Sequence, residues 1–337
     1  MLLVAAVSAE AKYWKVGPSS VAGMDFASIN AAMESESVAA GDTLYLDQYY
    51  NESAAQTISK QVVIIGTGYD TSLNDEQVVA RLTSTLMLKA ANAVVKSLRV
   101  DGTIQFWAAN CTVERCYMTG VKVASAIDAI NHIYSCYIKG SVQGYGESSY
   151  SKLDIQNCVI LSQVFYLTSS TLNNNIIYWE DTSTSYTMYN IDNSTITNNY
   201  IWGRYYNSGY YTTDVYDRDL NDNVINSGSG NTIEHNLLSR SALNYFPNNV
   251  LNCKSPSSYF VCSGTYSDYY QLNKETGDNP ALNYATDGGE IGCHGGMFGC
   301  PSGGRPQYIP YFKKVTVGSR TEDGKLPVTL KIAIQSE

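Results

Sequence analysis

Short apolar and polar stretches alternate along most of the chain, and one six-residue pattern recurs in it. Each copy begins with an aliphatic residue, continues with two variable residues, usually a small or amide residue and one more variable residue, and closes on an aliphatic residue or Met. The copies begin at Val95, Val113, Ile133, Ile155, Leu172, Ile196 and Ile233. Successive copies start between 17 and 37 residues apart. This irregular spacing excludes leucine-rich and helical repeats, which have a fixed length, and favours coils joined by loops of variable length.

The fourth position of the pattern groups like residues with like. Along the chain it holds Leu98, Cys116, Cys136, Cys158, Asn175, Asn199 and Asn236. Stacked Asn side chains can hydrogen-bond along a ladder, and Asn tolerates the left-handed backbone of a sharp corner. Stacked Cys side chains would face inward as small apolar residues. The pattern therefore predicts a strand, a tight corner and a strand, stacked coil on coil at about 4.8 Å.

Such coils resemble the right-handed parallel β-helix proteins of the pectin-lyase-like superfamily. Near the start, Phe26, Ile29 and Met33 share one helical face ahead of a strand, similar to the short helix that caps such a solenoid. Near the end, residues 287–296 and 324–332 are similar to the tail of secreted β-helix proteins from Bacteroidetes. The resemblance implies an all-β parallel β-helix with its N-terminal capping helix over residues 12–278. Residues 279–337 would form a β-rich C-terminal tail packed on it.

Composition and charge narrow the classes of partner. Charged residues are only 16% of the chain, the net charge is −9, and there are 28 tyrosines. This acidic balance provides no basic field to gather phosphates, so we expect no nucleic-acid partner. An apolar run from Leu2 to Val7, followed by Ala9, resembles a signal-peptide remnant over residues 1–11, which predicts a secreted, periplasmic or cell-surface protein; an ordinary first strand is the alternative. We also expect a monomer. No run reaches the roughly 20 apolar residues that a membrane-spanning helix needs.

The segment between Ile201 and Ile233 is the longest interval between copies, and it differs in composition from the coils. Aromatic side chains in it suit sugar rings, and we expect them to bind substrate: Trp202, Tyr205, Tyr206, Tyr210 and Tyr211. Four carboxylates suit a calcium ion, the one cofactor that the sequence suggests: Asp214, Asp217, Asp219 and Asp222. Long loops on a rigid scaffold are where binding sites usually lie.

The resemblance implies a lyase mechanism for this segment. Bound calcium would acidify the proton beside a uronate carboxylate, and a basic side chain would remove it, with Arg218 and Arg204 as candidates and Arg240 and Lys139 further away. Asp217 and Asp219 are two positions apart, so on an extended chain their side chains would point the same way. Glycosidases use such a pair of carboxyl groups, which makes glycoside hydrolysis a second candidate chemistry. A solvated tyrosine-rich loop whose charges pair with each other remains the simplest alternative.

Other motifs indicate structure more than chemistry. His235 lies in the third, polar column of the pattern and is interpreted as a corner residue, as is His132. Cys253 with Cys262, and Cys293 with Cys300, could each close a short loop. Serine hydrolase, nucleotide-binding and zincin motifs are absent from the sequence.

Two functions stay open from the sequence. One is an exported β-helix that binds an acidic polysaccharide or host glycan and, if it is an enzyme, cleaves it by β-elimination. The alternative is a non-catalytic surface adhesin or structural module.

Overall fold

The computed structural model describes residues 11–71, 78–146, 150–181, 187–207, 210–212, 225–226, 229–239, 248–250, 253–260, 272–274, 279–299, 303–304, 311–317 and 328–333. Only the backbone is described for residues 180–181, 204–207, 210–212, 225–226, 311–317 and 328–333. Short β-strands dominate this part of the chain. The α-helix α1 (Ile29–Glu34) begins after the N-cap residue Ser28, whose hydroxyl accepts a hydrogen bond from the Ala31 amide. No helix among the described residues is long and apolar enough to cross a membrane.

A ten-stranded parallel sheet, sheet A, takes one strand from each coil. In spatial order its strands are β1 (Tyr13–Val16), β2 (Thr43–Leu46), β5 (Val63–Ile65), β8 (Val94–Lys96), β10 (Thr112–Glu114), β12 (Ile130–Tyr134), β15 (Lys152–Gln156), β18 (Thr171–Asn173), β21 (Thr195–Thr197) and β25 (Thr232–Glu234). The register pairs the first residue of every predicted copy with that of the next, from Val95 to Ile233. The alignment made from the sequence is therefore confirmed.

The remaining strands of the coils form sheet B, a 16-stranded sheet with two arms. Its strands are β3 (Asn51–Glu52), β4 (Gln56–Ile58), β6 (Arg81–Leu82), β7 (Leu86–Leu88), β9 (Arg99–Phe106), β11 (Tyr117–Val123), β13 (Tyr137–Ile138), β14 (Val142–Gln143), β16 (Val159–Ile160), β17 (Val164–Thr168), β19 (Ile176–Asp181), β20 (Met188–Asp192), β22 (Tyr200–Asn207), β23 (Tyr210–Thr212), β24 (Ile225–Asn226) and β26 (Leu237–Leu238). The long strands β9 and β11 run through both arms. A separate antiparallel pair comprises β27 (Tyr311–Val317) and β28 (Val328–Ala333).

The stacked strands are compatible with a parallel β-helix. Their inward side chains form one continuous apolar core, which extends from Val16 in the first strand of sheet A to Leu238 in the last coil. Helix α1 contributes Ile29, Ala32 and Met33 to this core. Such a core is typical of a solenoid, in which each coil covers the apolar face of its neighbour.

The predicted asparagine ladder is present and fully buried. The Asn199 carboxamide oxygen accepts hydrogen bonds from the backbone amide and the side-chain amide of Asn175, at 2.8 and 3.0 Å. In the next coil, the Asn236 carboxamide oxygen accepts the same two hydrogen bonds from Asn199, at 2.9 and 3.0 Å. Asn249 adds a further rung, which lies outside the seven copies of the six-residue pattern. The side chains thus continue the hydrogen bonding of the strands around the corner, where backbone groups would otherwise be buried without partners.

Buried cysteines occupy the same ladder positions in earlier coils. The backbone amides of Cys116 and Cys136 lie 3.5 and 3.4 Å from the sulfur of the next cysteine, while the thiol of Cys136 lies 3.2 Å from the Tyr134 carbonyl oxygen. Burial raises the pKa of the Cys116 and Cys136 thiols well above the ordinary value. The thiols are therefore protonated and can donate as well as accept. They form a weaker version of the amide ladder, rather than a purely apolar column.

The left-handed corner lies one residue before the ladder, not on it. Seven residues of this corner column have positive φ values between 50° and 60°: Ser97, Arg115, Ser135, Asn157, Asn174, Asn198 and His235. This confirms His235 as a corner residue. The same interpretation is wrong for His132, which lies on β12 with its side chain half-exposed.

A C-terminal segment returns along this corner column from the last coil to the coil of β5, where Gly303 and Gly304 contact Tyr69. We call residues 279–299 and 303–304 the strap. His235 hydrogen-bonds the Tyr284 carbonyl, Asn198 contacts Thr286, and Asn174 donates to the Glu290 carbonyl. Further along, two corner residues contact later parts of the strap. Asn157 donates to the carbonyls of Cys293 and Gly295, and Ser135 donates to those of Phe298 and Gly299. At the end of the strap, the Tyr69 amide donates to the Gly303 carbonyl.

The strap and the preceding residues cover one arm of sheet B. A second apolar cluster lies between them and includes Tyr117, Tyr137 and Tyr200 from the arm, with Phe260 and Ile291 from the covering segment. The Tyr117 and Tyr137 rings stack at 5.7 Å. The boundary at residue 279 stays a prediction; residues before it, Val250 and Cys253, already hydrogen-bond Leu238 of the last coil.

Candidate functional site

The structure places the predicted substrate-binding segment partly in a hairpin. The backbones of Tyr205 and Tyr206 in β22 pair with those of Thr212 and Tyr211 in β23, and Arg204 precedes them in β22. The side chain of Trp202 is 2% exposed and stacks on Tyr178 at 5.1 Å. An aromatic ring needs an open face to stack on a sugar, so an open aromatic surface has to be sought elsewhere among the described side chains.

The predicted calcium ligands and principal base lie outside the described residues: Asp214, Asp217, Arg218, Asp219 and Asp222. Arg240, Cys262 and Cys300 also lie outside them. Lys139 is described and exposed, directly after β13. Within the described part of the chain, no group of three or more His, Cys, Asp or Glu residues could hold a metal ion.

An open surface of suitable chemistry lies on the second arm of sheet B. The register aligns five outward-facing side chains on consecutive strands, which we call the outer column: Gln105, Lys122, Gln143, Phe165 and Tyr189. Their inward neighbours Ile104, Val121, Val142, Val164 and Met188 are buried in the core. Each outer-column residue directly follows a buried core residue on its strand and therefore faces out, and strand stacking places the five side chains in one line.

The aromatic end of the outer column is a packed cluster. Phe165 and Tyr189 stack face to face, with ring centroids 4.8 Å apart and planes 7° apart. Tyr166 packs edge-on against both rings, at 5.0 and 5.9 Å, and itself stacks against Tyr150. All four side chains keep part of their surface exposed. Because Tyr189 covers one face of Phe165, the opposite face is directed along the column toward Gln143.

The polar end of the outer column carries unused hydrogen-bonding capacity. Among the described residues, Lys122 forms no ion pair and the Gln143 carboxamide forms no hydrogen bond. Lys122 is exposed and Gln143 half-exposed. Beyond them, Gln105 accepts a hydrogen bond from the indole of Trp107, which is 42% exposed. The column thus presents a cation, an amide and an aromatic face within about 10 Å, the distance across two strand spacings.

The sequence did not single out this surface because its residues lie beyond the six-residue pattern. Lys122 and Gln143 each follow their copy by several residues, and the number of intervening residues changes between coils. Only the strand register shows that they share a line with Phe165. The aromatic content of the Phe165–Tyr166 pair was the available signal.

Comparison with known proteins adds no assignment: no family model, no curated protein and no solved structure matches the chain.

Proposed function

We propose that this chain is an exported right-handed parallel β-helix, similar to pectin-lyase-like proteins, whose outer column binds an acidic polysaccharide. The observation that carries the proposal is the alignment of Lys122, Gln143 and Phe165 on consecutive strands of one exposed face. A uronic acid residue has complementary groups: a carboxylate for the ammonium group, hydroxyls for the amide and a flat apolar ring face for Phe165. Because the stacked coils continue in both directions, an extended polymer can follow the column.

The net charge of the chain makes the Lys122 ammonium group important for binding an acidic polymer. The chain carries a net charge of −9, which repels a polyanion at long range. Binding of an acidic polymer therefore requires a local cation that is not already paired, and Lys122 meets this requirement among the described residues. We expect binding to be short-ranged and strongest at moderate ionic strength, where the repulsion is screened.

The Phe165→Ala variant tests the aromatic contact. We expect it to weaken binding of polygalacturonate about tenfold, because one stacking contact supplies roughly 1.4 kcal/mol. Binding would be measured by affinity electrophoresis of the full chain through immobilised polygalacturonate, alginate and a neutral glucan. Lys122→Gln should weaken retention by the two acidic polymers and leave retention by the neutral one unchanged.

A matched control is Tyr45→Ala, which removes a 40% exposed aromatic ring from sheet A. Thermal unfolding of each variant separates loss of binding from loss of fold, since Phe165 also packs on Tyr189. The proposal would be refuted if Phe165→Ala were retained as strongly as the native chain, or if neither acidic polymer retained the native chain.

Cleavage by β-elimination is the enzymatic form of the same proposal. Arg218 or Arg204 would remove the proton beside the uronate carboxylate, the C–H electrons would form a double bond, and the glycosidic oxygen would leave. Calcium, when bound by Asp214, Asp217, Asp219 and Asp222, would make that proton more acidic. These four carboxylates and Arg218 lie outside the described residues.

Ultraviolet absorbance tests this form directly, because elimination leaves an unsaturated product. We expect absorbance to rise with time in the presence of uronic-acid polysaccharide and calcium, and to stay flat with a chelator or in Arg218→Ala. Calcium titration calorimetry of the Asp217→Asn, Asp219→Asn double variant should show no heat. No rise in absorbance with any of the polymers, together with native retention in affinity electrophoresis, would instead favour a binding module or adhesin.

A further inference from the structure

Three residues with complementary chemistry occupy one outward column of sheet A. The register pairs Thr112 on β10 with His132 on β12, and His132 with Asp154 on β15. Adjacent strands lie about 4.8 Å apart, so a hydroxyl, an imidazole and a carboxylate follow one another in a line. All three side chains are half-exposed. This face is separate from the outer column, which lies on sheet B.

The Asp154 carboxylate is oriented by three neighbours. Its Oδ2 accepts a hydrogen bond from the Tyr134 hydroxyl at 2.5 Å and lies 3.3 Å from His132 Nδ1. Its Oδ1 accepts a hydrogen bond from the Gln156 amide at 2.8 Å. Such a network fixes the carboxylate and, through it, the imidazole ring.

The network also determines which nitrogen of His132 carries the proton. Burial and the hydrogen bond to Asp154 raise the pKa of Tyr134, so its hydroxyl stays protonated and donates to the carboxylate. His132 Nδ1 therefore faces two oxygens, the Tyr134 hydroxyl at 2.8 Å and the Asp154 carboxylate, and must itself be the donor. In the neutral ring the lone pair is then on Nε2. Nε2 has no hydrogen-bond partner within the described part of the chain.

Thr112 lies on the side of His132 opposite Asp154. Its hydroxyl forms no hydrogen bond among the residues that the structure describes. Hydroxyl, imidazole and carboxylate in this order are the groups of a catalytic triad: a nucleophile, a base, and an acidic group that orients the base. The hydrogen bond from the hydroxyl to the base is often long without substrate and tightens in the complex.

An apolar wall stands beside this row. Phe298 of the strap stacks on Tyr134 with ring centroids 4.0 Å apart and planes 6° apart. The adjacent Met297 side chain is 85% exposed. The strap therefore adds an apolar surface against Tyr134, whose hydroxyl contacts His132 and Asp154. This surface is the apolar contact that the row offers to an acyl group.

We propose that Thr112, His132 and Asp154 form an acyl-transfer centre for carboxylic esters with a small apolar acyl group. The Thr112 hydroxyl passes its proton to His132 Nε2 as its oxygen bonds to the carbonyl carbon. The resulting tetrahedral intermediate expels the alcohol oxygen, which takes the proton from Nε2. Water, activated by the same nitrogen, then adds to the acyl-threonine and releases the carboxylic acid with Thr112 restored. Together these reaction steps consume one ester and one water molecule and release one alcohol and one carboxylic acid.

Hydrolysis of p-nitrophenyl acetate by the full chain tests the centre. We expect release of p-nitrophenolate above the buffer rate, with at least a tenfold loss in His132→Asn and in Thr112→Val, as is usual for an essential base and nucleophile. Mass spectrometry of the peptides from a brief reaction should locate the acetyl group on Thr112. Thr195→Val is the matched control, because Thr195 lies in the same outward column two strands beyond Asp154.

Each alternative outcome is decisive. Native rates in His132→Asn or Thr112→Val, or acetylation on lysines with none on Thr112, would overturn the proposal. Thermal unfolding checks that the variants fold, and Asp154→Asn adds an independent reading: it should lower the rate while the ester still acetylates Thr112 slowly. Since the probe is a small ester and the centre lies on another face, the result does not depend on glycan binding by the outer column.

Discussion

Replacing Asn199 with Leu is expected to lower the free energy of unfolding by roughly 3–5 kcal/mol. Asn199 is completely buried, and its side-chain amide donates to the carbonyls of Leu172 and Thr197 at 2.8 Å and to Asn236 at 3.0 Å. Its side-chain oxygen accepts hydrogen bonds from the backbone amide and the side-chain amide of Asn175. Leucine has similar volume but no polar atoms, so the variant leaves several buried groups without partners. Each such group costs about 1–3 kcal/mol.

Urea unfolding followed by circular dichroism measures this loss. Thr195→Leu is the matched control, since it introduces the same side chain in the same coil at an exposed position. We expect Thr195→Leu to change the free energy of unfolding by less than about 0.5 kcal/mol. Similar losses in the two variants would show that the ladder adds nothing beyond apolar packing at this position.

The ladder was predictable from sequence because it repeats. Every coil puts one residue at the same inward corner, so grouping of Cys with Cys and Asn with Asn is visible without a structure. From sequence, the left-handed corner is predicted at the ladder position. The structure places it one residue earlier, at residues such as Asn174 and Asn198. Asn is accepted at both positions for different reasons, a local φ preference at one and a paired carboxamide at the other. Sequence alone could not separate them.

The surfaces were less predictable because they depend on register. His132 was assigned to a corner, since it directly precedes a copy of the pattern, yet β12 begins two residues earlier, at Ile130, and carries it on its outer face. Lys122 and Phe165 are 43 positions apart in the sequence and two strands apart in space. Likewise, Asn157 and Cys293 are 136 positions apart, and only the fold brings the strap to the corner column. Local pattern carries no information about these pairings.

Replacing Gly304 with Ala is expected to destabilise the protein by about 1–3 kcal/mol more than replacing Gly299 with Ala. Both glycines belong to the strap and have nearly the same left-handed φ, +68° and +69°. The backbone strain of an alanine is therefore the same in the two variants. A Cβ atom at Gly304 would overlap the buried Tyr69 ring and the Arg115 carbonyl oxygen, whereas nothing lies within 4 Å of a Cβ atom at Gly299.

The comparison isolates the docking of the strap, because the only difference between the two variants is the collision. The Tyr69 amide donates to the Gly303 carbonyl at 2.8 Å, so its hydrogen exchange reports whether this end of the strap has lifted. We expect faster exchange of the Tyr69 amide in Gly304→Ala and native exchange in Gly299→Ala, alongside the difference in urea unfolding. Equal unfolding free energies with native exchange in both would mean that this end of the strap is held too loosely to stabilise the first coils. In that case the second apolar cluster around Tyr117 and Tyr137 would have to be held by the part of the strap that packs on later coils.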